Sequence, residues 1–120
     1  MQINQNSNIP IYEQIYEQFL DYISKGILQT GEKLPSVREL SSQMHINPNT
    51  VVKAYRMLEE QKFIHSLPGK GSFVSEKQQS QTENLKKNII EECKKLITTC
   101  KYIDMPYEEL CGILKASWEE

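Results

Sequence analysis

Three polar side chains recur at helical spacing in the middle of the chain, and they are suited to hydrogen bonding with base edges or phosphates. Asn49, Lys53 and Arg56 fall on one side of a segment whose other side is apolar. An asparagine pairs well with adenine in the major groove, and lysine or arginine pairs with guanine or with phosphate. Thr50 adds a hydroxyl at the start of the segment, where free helix amides attract anions. The spacing predicts a helix with a nucleic-acid-binding face.

The same residues have structural interpretations that the sequence leaves open. Asn49 also fits a solvated surface position, and Thr50 also fits a supporting role at the helix cap. Arg56 lies one turn from Glu59 and Glu60, so it could pair with either carboxylate. If Arg56 does contact DNA, its depth along the helix favours phosphate over a base.

Two flanking positions extend the predicted contact surface. Arg38 falls in the first turn of a preceding short helix, where it could contact phosphate or a groove; the alternative is a surface pair with Glu39. Lys70 stands at the tip of a turn between Gly69 and Gly71, and such a tip could enter the minor groove. Glycines at these positions are also what any tight hairpin requires, so alone they indicate little.

The charge distribution favours an anionic partner for this segment. The whole chain of 120 residues carries a formal charge of −2, which alone argues against nucleic acid. Residues 33–75, however, hold six basic and three acidic side chains. The basic ones are Lys33, Arg38, Lys53, Arg56, Lys62 and Lys70, and the acidic ones are Glu39, Glu59 and Glu60. The positive excess therefore coincides with the predicted contact residues.

Composition narrows the class of protein. Hydrophobic residues make up 38% and charged residues 25%, as in ordinary globular proteins. No apolar run reaches the length of a membrane span and residues 1–6 do not resemble a signal sequence, so we expect a cytoplasmic protein. Cys93, Cys100 and Cys111 lack metal-type spacing and are interpreted as reduced, half-buried thiols. We expect no metal and no cofactor.

Three helices are predicted to position the contact residues. The first begins near residues 8–10, with a polar cap before Pro10, and ends at Gly26. The second begins with a capping box formed by Ser36 and Glu39. The third begins at the Asn47 cap. Its predicted buried side chains are Val51, Ala54, Tyr55 and Leu58. The second and third helices, a few residues apart, have the dimensions of a helix-turn-helix.

The remaining pattern predicts a wing and a helical tail. Residues 62–66 and 72–75 are predicted strands of a hairpin. Residues 76–82 form a polar linker or the start of a helix, and two amphipathic helices follow at 85–100 and 107–118. The predicted fold is mainly α with a small β-hairpin: a winged helix-turn-helix in residues 1–76, then a two-helix dimerisation or regulatory tail in residues 77–120.

Four motifs in order resemble the GntR family of regulators, specifically its short YtrA-type branch. They lie at residues 10–15, 31–40, 47–55 and 69–74, and the resemblance spans about residues 8 to 75. It implies a homodimeric repressor that binds a palindromic operator with a recognition helix and a wing from each subunit. The arginine of the family's Pro-Ser-x-Arg motif corresponds to Arg38, and its wing-tip glycine corresponds to Gly69 or Gly71. Pro48 and Val52 replace recognition-helix arginines of other branches, so no base-by-base code is carried over.

Motifs and resemblance together predict a set of DNA-binding residues and a function. The set is Arg38, Asn49, Thr50, Lys53, Arg56, Gly69, Lys70 and Gly71. The predicted function is repression of the chain's own or an adjacent operon, and such regulators are often encoded beside transporter operons. The alternative is a protein-interaction module acting through its C-terminal helices. No motif indicates an enzyme. The sequence leaves open whether Tyr102, Tyr107 and Trp118 line a pocket for an unknown small effector or belong to a core, which is the usual role of such aromatic residues.

Overall fold

A computed structural model describes residues 1–77 and 79–120 of the protein. Within them, five helices and one antiparallel hairpin are present. In chain order the elements are α1 (Ile11–Ser24), α2 (Val37–Met44), α3 (Pro48–Glu60), β1 (Ile64–Leu67), β2 (Gly71–Val74), α4 (Gln79–Tyr102) and α5 (Tyr107–Trp118). They form two compact units, Met1–Gln81 and Thr82–Glu120. The predicted fold class is confirmed.

The core of the first unit lies where α3 packs against α1 and α2. The buried hydrophobic residues of this unit are Ile15, Phe19, Leu34, Leu40, Val51, Ala54, Tyr55, Leu58, Ile64 and Val74. The four members from α3 are the predicted stripe, and they recur at the three- and four-residue spacing that places side chains on one helix face. That prediction is confirmed. One face of α3 is therefore fixed in the core and the opposite face is left to solvent.

The start of α2 is fixed by the predicted capping box. Ser36 Oγ accepts a hydrogen bond from the Glu39 amide at 3.0 Å, and the Glu39 carboxylate accepts one from the Ser36 amide at 3.3 Å. Each side chain thereby satisfies an amide that the first turn leaves free. At the other end His45 adopts a left-handed conformation with φ 54°, which ends α2 and turns the chain towards α3. The helix-turn-helix geometry follows from these two ends.

The N-terminal boundary of α1 differs from the prediction. Pro10, in an extended conformation with ψ 148°, is the cap residue, and no side chain caps the helix. The predicted polar cap is therefore wrong. Instead, the Gln14 side-chain amide donates to the carbonyls of Ile9 at 2.8 Å and Asn4 at 2.9 Å, which holds the preceding segment against α1. The predicted end is confirmed, because Gly26 adopts φ 73° just after the helix.

The hairpin is displaced from the predicted strand bounds. Lys62 adopts φ 64° as the chain leaves α3, so the predicted strand at 62–66 begins only at Ile64. The partner strand begins at Gly71 instead of residue 72, and Ile64 pairs with Val74. A further edge was not predicted: the Leu34 amide donates to the Ser72 carbonyl at 2.9 Å. The stretch before α2 therefore anchors the wing to the helix-turn-helix.

The second unit contains the two tail helices. The predicted linker or helix start at 76–82 includes residue 78, which lies outside the described residues, and α4 begins at Gln79. Asp104 adopts a left-handed conformation with φ 59°, which separates α4 from α5. Pro106 then caps α5 in an extended conformation. Within the part of the chain that the structure describes, no helix is both long enough and apolar enough to cross a membrane.

Candidate nucleic-acid interface

The exposed face of α3 carries the polar residues that its spacing predicts. Asn47 Oδ1 accepts from the Asn49 amide at 2.8 Å, and Pro48 occupies the first turn, so the predicted cap is confirmed. Asn49, Lys53 and Arg56 are all exposed, at steps of four and three residues along one side. This face lies opposite the stripe buried in the core. The major groove of DNA is wide enough to admit one α-helix, so the exposed face of α3 could lie against the base edges.

Thr50 is placed differently from its neighbours on α3. Its side chain is half-buried, and its amide donates to the Asn47 carbonyl at 3.0 Å within the first turn. The residue therefore lies at the edge of the exposed face. This position suits a phosphate approaching the helix start, where the backbone dipole favours an anion.

Lys53 is held by a contact that the sequence did not reveal. Its ammonium lies 3.9 Å from the centre of the Tyr12 ring, at the start of α1. A cation over an aromatic face is stabilised by about 0.5–1 kcal/mol at an exposed site. The ring restricts where the ammonium lies and leaves its remaining donors free. No spacing rule joins residues on two separate helices, so only the three-dimensional fold identifies Tyr12 as a positioning residue.

Two of the three carboxylates that could have neutralised the two arginines, Glu39 and Glu59, have other partners. Glu39 is part of the capping box of α2, and Glu59 accepts from the Ser66 amide at 3.2 Å on the outer edge of β1. Among residues 1–77 and 79–120 the ion pairs are Lys25–Asp21 and Lys95–Glu92. Arg38 and Arg56 are exposed and, within those ranges, form no ion pair. Their positive charge remains available to a ligand.

A buried tyrosine fixes the two helices of the motif relative to each other. The Tyr55 hydroxyl, on α3, donates to the carbonyl of Pro35 just before α2, at 2.5 Å. Burial, and secondarily the charge of Glu39, raises the pKa of Tyr55 above its ordinary value, so the hydroxyl keeps its proton. Because Pro35 precedes the capping box, this bond sets the position of the α2 first turn and of Arg38 within it.

The wing tip presents Lys70 between two glycines in unusual conformations. Lys70 is exposed, and its amide donates to the Leu67 carbonyl at 2.9 Å across the turn. Gly69 has φ 73° and Gly71 has φ 119°, conformations that side chains rarely allow. A β-carbon at Gly69 would meet no atom within 4 Å, whereas one at Gly71 would lie 2.8 Å from Lys33 Cε. The two glycines therefore have different surroundings.

A groove lies between the wing and the start of α2. Its volume is about 440 Å³, and it is lined by Lys33, Leu34, Pro35, Ser36, Val37, Tyr55, Ser66, Leu67, Gly69, Lys70, Gly71 and Ser72. Two of these side chains are cationic and none is a carboxylate. The groove is therefore suited to a negatively charged ligand. Lys33 was counted only as part of the basic segment in the sequence, and its place in the groove comes from the unpredicted edge beside β2.

His65 and the cysteines are the remaining side chains that could do chemistry, and two of them have contacts that indicate a structural role. His65 Nδ1 lies 2.8 Å from Ser75 Oγ, and the ring stacks on Phe73 with centroids 6.1 Å apart. Cys100 is buried, with Sγ 3.8 Å from Met105 Sδ. Within the described part of the chain no group of three or more His, Cys, Asp or Glu side chains could hold a metal ion. Cys93 is exposed, although the sequence predicts half-buried thiols; it lies on a helix side that the second unit leaves uncovered.

The tail aromatic residues do not form a core in the described chain. Tyr102, Tyr107 and Trp118 are 88%, 75% and 88% exposed. The sequence leaves open whether they line a ligand site or belong to a core, and their exposure excludes a core formed within the second unit. A neighbouring Cys111 thiol, by hydrogen bonding, raises the pKa of the Tyr107 hydroxyl.

Comparison with known proteins identifies the family of this arrangement. The family model described as bacterial regulatory proteins, gntR family, matches residues 11–74, which span α1 to the end of β2. The chain belongs to the GntR family. It is 42% identical over 111 residues to the HTH-type transcriptional repressor YtrA of Bacillus subtilis (strain 168), covering 92% of this chain and 85% of YtrA. The resemblance to the short YtrA-type branch is confirmed.

Solved structures agree with this assignment. A protein of Listeria monocytogenes EGD-e described as a transcriptional antiterminator superposes with a TM-score of 0.85 at 36% identity, covering 100% of this chain and 90% of that one. The AraR DNA-binding domain in complex with operator ORE1 superposes with a TM-score of 0.54 at 30% identity, covering 62% and 94%. This GntR protein is a DNA-binding transcription regulator.

Proposed function

We propose that this GntR protein is a homodimeric repressor that binds a palindromic operator, upstream of its own or an adjacent operon, in the cytoplasm. The observation that carries the proposal is the exposed polar face of α3, with Asn49, Lys53 and Arg56 opposite a buried apolar stripe. In this proposal residues 1–76 bind DNA and residues 77–120 pair the subunits. The operator complex of the related AraR domain supports the use of this fold on DNA.

The proposed contacts divide into base-reading and backbone-binding residues. Asn49 reads a base edge, and Lys53, held over Tyr12, reaches guanine or phosphate. Arg38 and Arg56 bind phosphates, because both are exposed and neither is neutralised by a described carboxylate. The proposed interface as a whole is Arg38, Asn49, Thr50, Lys53, Arg56, Gly69, Lys70 and Gly71. Lys70 enters the minor groove, and the flanking glycines allow the turn that places it there.

The exposed apolar side chains of the tail support pairing of two subunits. Large hydrophobic residues on α4 and α5 are between 42% and 60% exposed: Ile89, Ile90, Leu96, Ile97, Ile113 and Leu114. A run of this kind on two adjacent helices is typical of a surface that a second chain covers. Two-fold pairing then places the two recognition helices about 34 Å apart, or a small multiple of it, on one face of the duplex.

Salt dependence of binding tests the DNA contacts. Four cations per subunit (Arg38, Lys53, Arg56 and Lys70) make eight per dimer. If all eight bind phosphates, the logarithm of the association constant falls with the logarithm of salt concentration with a slope of about −7. Affinity for the region upstream of the chain's own gene should drop roughly 10⁴-fold between 50 and 200 mM salt. Fluorescence anisotropy measures both values; a flat salt response, or equal affinity for random DNA, contradicts the proposal.

Two sets of variants separate DNA binding from a protein-interaction role. Lys53→Ala with Arg56→Ala should abolish operator preference while the dimer persists in analytical ultracentrifugation. Ile97→Glu should produce monomers and weaken operator binding, because it places a carboxylate in the proposed subunit contact. Asn88→Glu is the matched control, since it adds the same charge on the opposite side of α4 and should leave the dimer intact. Full operator binding by the double variant would favour the protein-interaction alternative.

A further inference from the structure

The Lys33 side chain lies against Gly71 at the start of β2, where glycine has no side chain. Its backbone lies opposite Phe73 beside β2, and the adjacent Leu34 amide bonds to Ser72. A β-carbon added at Gly71 would lie 2.8 Å from Lys33 Cε and 3.6 Å from its Nζ. Such a contact is too short for two carbons, so a residue with a side chain at Gly71 would displace the lysine. The absence of a β-carbon at Gly71 creates the space that the Lys33 side chain occupies.

The Lys33 ammonium has no ion-pair partner among the described residues. Lys33 is exposed and, within residues 1–77 and 79–120, takes part in no ion pair. It lines the groove between wing and α2 together with Lys70 and the Ser36 cap, and no carboxylate lines that groove. Two like charges on one concave surface repel each other in the free protein. An anion bound between the two ammonium groups would offset that repulsion, because it is attracted to both of them.

We propose that Lys33 is a further DNA-contacting residue, which binds a backbone phosphate between the wing and the first turn of α2, and that Gly71 positions it. The inference rests on the proposed function and adds a fifth cation per subunit to its interface. It also assigns different roles to the two wing glycines. Gly69 allows the positive φ that the turn requires. Gly71 also allows a positive φ, and in addition it leaves space for the Lys33 side chain. A phosphate contact of this kind carries no sequence information, so its effect is the same on operator and on random DNA.

The test replaces the charge and retains the aliphatic stem. Lys33→Met is compared with Lys25→Met, which removes an equal charge from an exposed lysine already paired with Asp21. Circular dichroism melts first check that both variants fold. Each is then titrated with the upstream duplex and with a random duplex at several salt concentrations.

The expected result is specific to Lys33. Its loss should make the salt slope of the dimer shallower by about two and weaken binding to both duplexes by roughly 30-fold at 0.15 M salt, while Lys25→Met behaves as wild type. Identical slopes for the two variants would overturn the inference and leave the proposed function standing. Failure of the wild-type chain to bind either duplex would instead overturn the proposed function.

A double-mutant cycle tests the positioning by Gly71. Gly71→Ala should weaken binding in the wild-type background and add much less in a Lys33→Ala background, because the displaced atoms are then absent. Gly69→Ala is the control, since Gly69 also has a positive φ, 73° compared with 119° at Gly71, and has open space around it. It should give additive losses with Lys33→Ala. Additive losses for Gly71→Ala as well would contradict its positioning role.

Discussion

Removing one hydroxyl should loosen the helix-turn-helix without creating a cavity in the core. Tyr55 is 7% exposed, and its ring packs edge-on against Phe19 with centroids 5.6 Å apart. Tyr55→Phe retains the ring and its packing. It removes the only bond from this side chain to the Pro35 carbonyl, which links α3 to the start of α2. The substitution therefore isolates the hydrogen bond from the apolar contribution of the ring.

The magnitude follows from leaving a partly buried acceptor without a donor. Such a loss costs about 1–2 kcal/mol in the free energy of unfolding. For a unit of this size, that corresponds to a decrease in Tm of about 5–10 °C. Tyr22→Phe is the matched control: Tyr22 also packs edge-on against Phe19, and its hydroxyl has no hydrogen bond within the described residues. The control should change the free energy of unfolding by less than about 0.5 kcal/mol.

Alkaline pH gives a second readout of the same bond. The pKa of Tyr55 is raised in the folded chain, first by burial and then by the charge of Glu39. Near neutral pH both folded and unfolded chains keep the proton, so the ionisation of this group does not alter stability there. Above the ordinary tyrosine pKa of 10.0, the unfolded chain loses a proton that the folded Tyr55 keeps, and stability falls. Each pH unit costs about 1.4 kcal/mol for this group.

Urea denaturation between pH 9 and 11 should therefore show a shallower loss of stability for Tyr55→Phe than for wild type or Tyr22→Phe. Burial also raises the pKa of Tyr16. Because Tyr16 is present in all three chains, its contribution to the alkaline loss of stability is the same in each and does not affect the comparison. Equal Tm values and equal alkaline slopes for the two variants would refute the reasoning, because they would mean that the Tyr55 hydroxyl has no buried partner.

Two further perturbations probe the site and its scaffold. Tyr12→Leu removes the ring that holds the Lys53 ammonium and should weaken operator binding about two- to fivefold, as a lost exposed cation–π contact predicts; an increase in affinity, measured by fluorescence anisotropy, would mean that Tyr12 competes with DNA. Ser36→Ala removes half of the capping box and should lower the free energy of unfolding by about 1 kcal/mol. Ser42→Ala, an exposed position within α2, is its control in the same thermal melts, and equal losses would contradict the capping argument.

Local sequence patterns predicted the features that depend on neighbours along the chain. The Asn47 cap, the Ser36–Glu39 capping box and the left-handed Gly26 each involve residues a few positions apart. The buried stripe of α3 follows from helical periodicity in the same way. These features sufficed to predict the fold class and the exposed face that carries Asn49.

The features that sequence analysis missed join segments distant along the chain. The ring of Tyr12 meets Lys53 across two helices, and Lys33 meets Gly71 through a strand-like edge that its own sequence does not indicate. The first strand was displaced because the left-handed Lys62 belongs to the turn that ends α3. Such contacts depend on how elements pack, so periodicity and capping rules carry no information about them.

The central claim is that the exposed face of α3 lies on DNA. Amide hydrogen exchange of the full chain, with and without its upstream duplex, measures this directly, because it reports which backbone amides the DNA protects in the unmodified protein. We expect protection upon DNA binding at residues 36–38, 47–56 and 69–71, with little change at the exposed end of α5. Unchanged exchange at residues 47–56, with protection confined to the tail, would contradict it.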